Sequence, residues 1–214
     1  MADILLDVQS APVTPSAGQS VIYVDTTAKI LCIKDDAGVV KAQSCNASVG
    51  NQTVNAADTY LTNSDIIIPN FGLQAKTNIL FMVSASKTGA GTAAPIYNIR
   101  IGANRTTGDT TRLTLTGPLQ TAIADIGTLY VMLTVRNIGA AAVIQGTAWW
   151  NHRGTAANTT TSGTGFANDS TGHVEGTSAG FDSSSLAGQY IGLSVNSGTS
   201  GVWTVTQVQV QACW

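Results

Sequence analysis

The closing run of the chain allows few folds. Trp203 and Val205 stand in one phase of a two-residue repeat, and Val208, Val210, Ala212 and Trp214 stand in the other. A period of two marks a half-buried strand, whose side chains point alternately to the core and to solvent. The slip of phase at Thr206-Gln207 predicts a bulge, because one extra residue lets both halves keep the same face inward. A strand running to the final residue is expected to be held in a sheet, and a chain held at its ends points to an assembly component. The same period recurs upstream. Leu129, Val131, Leu133 and Val135 alternate with Tyr130, Met132, Thr134 and Arg136, while Ile79, Phe81, Val83 and Ala85 form another series and Ile191, Leu193 and Val195 a third.

Helix-favouring residues are scarce. Of the twelve acidic residues only Glu175 is a glutamate, and β-branched and turn-forming residues fill the chain instead. From residue 65 onward eight strands are expected, at 65–69, 77–86, 95–101, 111–116, 128–136, 141–151, 189–196 and 202–214. Eight antiparallel strands with turn-rich links fit an all-β jelly-roll sandwich. Residues 118–126 are expected to hold a short helix. The Gly/Ser/Thr/Asn-rich stretch 154–188 reads as a long loop without secondary structure, of the kind that is usually functional or disordered. Contact with a neighbouring subunit is its expected source of order.

Ahead of the sandwich, residues 1–20 read as an extended arm, since Pro12 and Pro15 exclude a helix there. Three short strands follow at 21–24, 29–33 and 39–42, joined by Asp-, Thr- and Gly-containing turns. A three-stranded meander of this size buries little alone. Residues 1–45 are therefore expected to form an attachment module, 46–62 a linker and 63–214 the jelly-roll domain. The candidate attachment residues are Ile4, Leu5 and Leu6 of the arm and Val21, Tyr23, Ile30 and Cys32 of the meander.

Charged residues make up 10% of the chain, against a usual ~25%. With a net charge of −2 and ten scattered Lys and Arg, nothing favours nucleic acid as a partner. A surface so poor in charge stays in solution through Thr, Ser, Asn and Gln, or is covered by partners. The first residues carry no basic, apolar leader pattern, so no secretory signal is expected. No apolar stretch approaches the ~20 residues that span a bilayer, and no membrane association is expected. Cys32, Cys45 and Cys213 lack metal-ligand spacing and read as free thiols of a reducing cytosol.

Motifs for catalysis are sparse. Gly176-Thr-Ser-Ala-Gly180 matches the G-x-S-x-G pattern, which needs a strand before it and a helix after it to present the serine. The surrounding polar stretch supplies neither, so an esterase centred on Ser178 is the weakest of the readings. Two isolated histidines give no zinc set, no Asp-rich calcium loop is present, and no cofactor is expected. The densest cluster is Trp149-Trp150-Asn151-His152-Arg153. Adjacent tryptophans on a strand face opposite ways, so one is expected in the core and the other outside. The outer ring can stack on a host glycan whose hydroxyls bond Asn151, His152 and Arg153. Packing against a neighbouring subunit or beneath residues 154–188 is the favoured alternative, since aromatics and Arg are enriched at protein interfaces.

Pro15-Ser-Ala-Gly18, Tyr23-Val-Asp25 and Lys34-Asp-Asp-Ala-Gly38 together resemble a small β-meander of tailed-bacteriophage head and tail fibre proteins, one that often precedes a trimeric β head. The closing segment from Tyr190 is similar to the last hairpin of phage structural jelly rolls. The resemblance implies a non-enzymatic virion component, assembled in the host cytoplasm. Its meander would attach it to a major capsid, neck or baseplate protein, and its jelly roll would be displayed as a homo-oligomer, a trimer by the resemblance. The chain has no long shaft of the fibre type, which favours a compact head decoration, head spike or neck/baseplate protein.

Overall fold

The computed structural model describes residue 6 and residues 8–48, 50–152, 166, 172–199 and 201–214. Among them no helix forms, and residues 118–126, expected to be helical, run as an irregular connection ending in a strand. The N-terminal strands are β1 (Val8–Gln9), β2 (Ser20–Asp25), β3 (Leu31–Asp35) and β4 (Val40–Ala47). Three short ones follow, β5 (Gln52–Val54), β6 (Thr59–Tyr60) and β7 (Ile66–Ile67). The long strands are β8 (Asn78–Lys87), β9 (Ile96–Gly102), β10 (Thr110–Thr116), β11 (Asp125–Asn137) and β12 (Val143–His152). The chain closes with β13 (Val174–Thr177), β14 (Tyr190–Asn196) and β15 (Trp203–Cys213).

All eight strands expected from residue 65 onward are present, and they form a two-sheet sandwich of the jelly-roll type. The larger sheet has ten strands in the order β1-β2-β3-β4-β15-β8-β11-β12-β13, with β5 also on β15. The smaller has five in the order β10-β9-β14-β6, with β7 also on β14. The last two strands therefore enter the middle of the two sheets, each beside strands from the start of the chain. That late insertion is the jelly-roll winding. The register of β15 against β8 shifts between Val205 and Gln207, which places the bulge at the phase slip. Ahead of it Trp203 and Val205 are buried, and beyond it Val208, Val210 and Ala212 are buried.

The alternating residues of both sheets meet in one core. At one end Trp150 of β12 lies flat against Phe166 with ring centroids 3.9 Å apart, and both rings meet Trp203 edge-on. Polar atoms on these rings are partnered across the sandwich. Trp150 Nε1 donates to Tyr97 Oη of the opposite sheet at 2.8 Å, and Trp203 Nε1 donates to Gln120 Oε1 at 3.1 Å. At the other end two facing glycines set the sheet separation. A Cβ on Gly146 would lie 2.4 Å from Leu113 Cδ2, and one on Gly176 would lie 2.8 Å from Leu115 Cδ2. Only bare backbone lets β10 settle this closely onto β12 and β13.

Within the stretch 154–188 the described residues 166 and 172–188 are less uniform than the composition implies, and 154–165 and 167–171 lie outside the described residues. Val174–Thr177 adds β13 to the edge of the larger sheet, and Phe181 bridges to Ala142. The expectation of a stretch without secondary structure fails over its described part, 172–188. The physical reason is that Val174-Glu-Gly-Thr177 pairs through its backbone with β12, which needs no apolar alternation of its own.

Trp203 fills the most aromatic part of the core with no exposed surface. Trp203→Ala is expected to lower the unfolding free energy by about 4 kcal/mol through lost contacts and a residual cavity, read from urea denaturation. A loss near zero would mean that the ring is not packed as described.

Candidate functional site

The N-terminal strands are part of the larger sheet. Val40, Lys41 and Ala42 of β4 pair with β3, and residues 43–47 of the same strand pair with Gln209–Cys213 of β15. Residue 45 thus lies within a continuous strand, and the segment 46–62 carries β5 and β6. Trp214 fastens the junction twice, donating its backbone N–H to Ala42 O at 3.0 Å and its indole Nε1–H to Ser44 Oγ at 2.9 Å.

The inner face of the meander rests on the sandwich. Tyr23, Cys32 and Val40 form a small buried cluster, and Ile30, Ala42 and Phe71 pack against both this cluster and the main core. Asp25, fully buried, holds the contact. Its carboxylate accepts from the N–H groups of Thr27 at 2.9 Å, Ala28 at 2.8 Å and Asn70 at 3.2 Å. The arm is tied on as well. Val8 and Gln9 pair parallel to β2, Lys34 Nζ donates to Pro12 O at 2.6 Å, and Gly18 N–H donates to Asp36 Oδ2 at 2.6 Å.

This geometry sorts the expected attachment residues. Tyr23 and Cys32 are buried and turned inward, and burial pushes the Cys32 thiol above its ordinary pKa. Val21 and Ile30 are half-buried, while Leu6 is exposed. Ile4 and Leu5 lie outside the described residues. The face that does look outward carries Ile22, Leu31 and Ile33, which are 53%, 55% and 45% exposed. Ile22 stands opposite Ile33 and Val24 opposite Leu31. These residues were missed because the meander strands are apolar in both phases, so their periodicity does not say which face is buried.

The tryptophan pair divides as its alternation requires. Trp150 is buried, and Trp149 is half-buried on the outer face, stacked on Tyr130 with centroids 5.3 Å apart. Asn151 is exposed, and His152 closes β12. Arg153 lies outside the described residues.

A cleft of about 390 Å³ opens beside β4, between the meander and the smaller sheet. Arg105 forms part of its wall. The guanidinium makes a two-pronged contact with the buried Asp65 carboxylate, at 2.8 and 3.2 Å, and lies 4.9 Å over the Tyr190 ring. The hydrogen bonds that the guanidinium donates to Asp65 hold it above its ordinary pKa. Arg105 itself has a left-handed backbone, φ 59°, fixed by the Asp109 carboxylate accepting from the N–H groups of Asn104 and Arg105. The pair of charges is thus used up within the chain.

Ser178 is also engaged internally. Its side chain is buried, and Oγ accepts the Ile144 N–H at 2.9 Å in continuation of the β12–β13 pairing. His173, the histidine nearest in sequence, lies 3.2 Å from Glu175 at the surface. Among the described residues no three His, Cys, Asp or Glu side chains come together as a metal-binding group. No protein-family model matches the chain, and no curated protein is matched by it either.

The Asp25 carboxylate accepts from the N–H groups of Thr27, Ala28 and Asn70 where meander meets sandwich. Asp25→Ala is expected to lower stability by about 3 kcal/mol and to make Cys32 reactive toward N-ethylmaleimide in the native protein. In the unaltered protein Cys32 should react only on unfolding. Equal Cys32 reactivity before and after the substitution would show that Asp25 does not hold the two together.

Proposed function

We propose that the chain is a non-enzymatic structural component of a tailed-bacteriophage particle, attached through its N-terminal module and presenting an oligomeric jelly roll as a capsid decoration or head-fibre protein. The observation that carries this reading is the outward apolar face of Ile22, Leu31 and Ile33, on strands whose turns match the phage meander. Branched aliphatic side chains clustered in register on an outer sheet face cost solubility unless another protein covers them. Val8, 48% exposed beside Val24, extends the same patch along β1.

Attachment on this reading is a matter of buried area. Each meander would press its apolar face onto a capsid, neck or baseplate subunit, and several copies joined in one oligomer would bind together far more tightly than one alone. The rigid pairing of β4 with β15 would then hold the jelly roll at a fixed angle to the particle.

The double substitution Ile22→Lys with Leu31→Lys changes exposed positions, so stability is expected to move by no more than about 0.5 kcal/mol. Particles purified from cells expressing the variant should lack it, while particles carrying the unaltered protein show it by mass spectrometry. Normal incorporation of the variant would contradict attachment through this face. Absence of the unaltered protein from particles would contradict the particle assignment altogether.

A further inference from the structure

The outer face of the larger sheet has a composition that a solvated sheet face rarely has. Strand register sets its rows. Gln209 of β15 stands beside Met82 of β8, Met82 beside Tyr130 of β11, and Tyr130 beside Trp149 of β12. In the next row Gln211, Leu80, Met132 and Thr147 stand side by side in the same order. Five large apolar side chains therefore sit together at the middle of the face, with Met132 46% exposed. Amide and hydroxyl side chains surround them, among them Gln207, Ser84 and Thr128 in one flanking row and Asn78, Thr134 and Gln145 in the other.

Charge on this face is confined to its margins. Across β15, β8, β11 and β12 the only Lys, Arg, Asp or Glu residues are Lys87, Asp125 and Arg136. Lys87 and Asp125 are buried on the inner side, and Arg136 faces outward at the C-terminal end of β11, two residues beyond Thr134. The other outward charges are Lys41 on β4 and Glu175 on β13, the latter beside Thr147 at the edge of the second row. Sheet faces left in water normally carry interspersed charges, which keep copies apart.

We infer that this face is where copies of the chain meet each other in a closed symmetric oligomer. Two features select a second copy over a different partner. Identical chains bring identical charges together about a symmetry axis, so an interface between copies favours neutrality, whereas a dissimilar partner is selected by complementary charge. Gln, Asn, Ser and Thr each both donate and accept hydrogen bonds, so a surface made of them matches its own copy without needing an opposite pattern. The size also fits. Four strands of about ten residues at ~4.8 Å spacing present on the order of 700 Å², close to the ~800 Å² per partner of a stable interface.

The inference deepens the proposed reading by naming the surface that joins its oligomer, and it rests on residues apart from the meander's apolar patch. Light scattering on the size-fractionated full chain tests it. The unaltered protein should run as an oligomer. Met132→Lys should weaken association by roughly 100-fold through like charges brought face to face, with the melting temperature of the monomer preserved. Gln209→Lys, one row away on another strand, should do the same and guards against misfolding of the first variant. Cys45 and Cys213, exposed on the single chain and carried by the β4–β15 part of this face, should react slowly with N-ethylmaleimide in the oligomer and quickly in the charged variants. Ile22→Lys with Leu31→Lys should stay oligomeric, so loss of particle attachment and loss of self-association are read separately. A monomeric unaltered protein would overturn the inference, as would an oligomer that survives both charged substitutions. Binding of immobilised oligosaccharides by a monomer, lost in Trp149→Ala, would overturn it in favour of a glycan.

Discussion

Everything else in the molecule hangs on the pairing of β15 with its neighbours. One strand binds β8 along its whole length, β4 at its C-terminal end and β5 at its N-terminal end. Its inward residues supply Trp203, Val205, Val208, Val210 and Ala212 to the core. The bulge between Val205 and Gln207 is what allows this. Without the extra residue the two halves would present opposite faces, and either Trp203 or Val208 with its followers would point to solvent. Because β4 pairs with β15 at one end and is the last strand of the meander at the other, the same pairing also sets where the meander's outward apolar face lies.

The outcome is a single outward surface with two chemically distinct regions. Over the meander it is aliphatic, with Ile22, Leu31 and Ile33 exposed. Over the long strands it is neutral and amide-rich around Met132 and Trp149, and Lys41 on β4 stands between the two. The proposed roles follow that division, with the aliphatic region meeting a particle and the neutral region meeting other copies. A chain with only 10% charged residues is understandable on these terms, since much of its surface would be designed for burial in an assembly. The inner side of the sheet shows the opposite treatment of polarity. Asp25 accepts several backbone N–H groups, and buried Lys87 donates to Gly91 O and Thr121 O, so charge is kept where it is fully hydrogen-bonded.

The sandwich was legible in the sequence wherever one face is apolar and the other polar. Ile79–Ala85, Leu129–Val135 and the two phases around Thr206 read directly as strands and bulge, because burial on one side only leaves a period of two. Legibility failed for three physical reasons. The continuation of β4 is polar on both faces, since its inward residues Ser44 and Asn46 bond Trp214 Nε1 and Asp65 O instead of packing apolar surface; a linker looks the same. The strands β5, β6 and β13 are too short for any period to show. The meander is apolar on both faces, so Tyr23 and Cys32 looked as suitable for a partner as Ile22 and Leu31 until the packing on Phe71 chose between them. Of the tryptophan pair, alternation required opposite faces, but only the stacking of Phe166 and the hydrogen bond to Tyr97 made Trp150 the inner one.

Native-state hydrogen exchange would probe the shared strand without altering any residue. If β15 unites meander and sandwich, the amides of Tyr23 and Cys32 in the meander and of Phe81 and Val83 in β8 should open together, with one common free energy close to that of global unfolding. Meander amides that exchange through a separate opening several kcal/mol lower would contradict it, and would make residues 1–45 an independent appendage merely resting on the jelly roll.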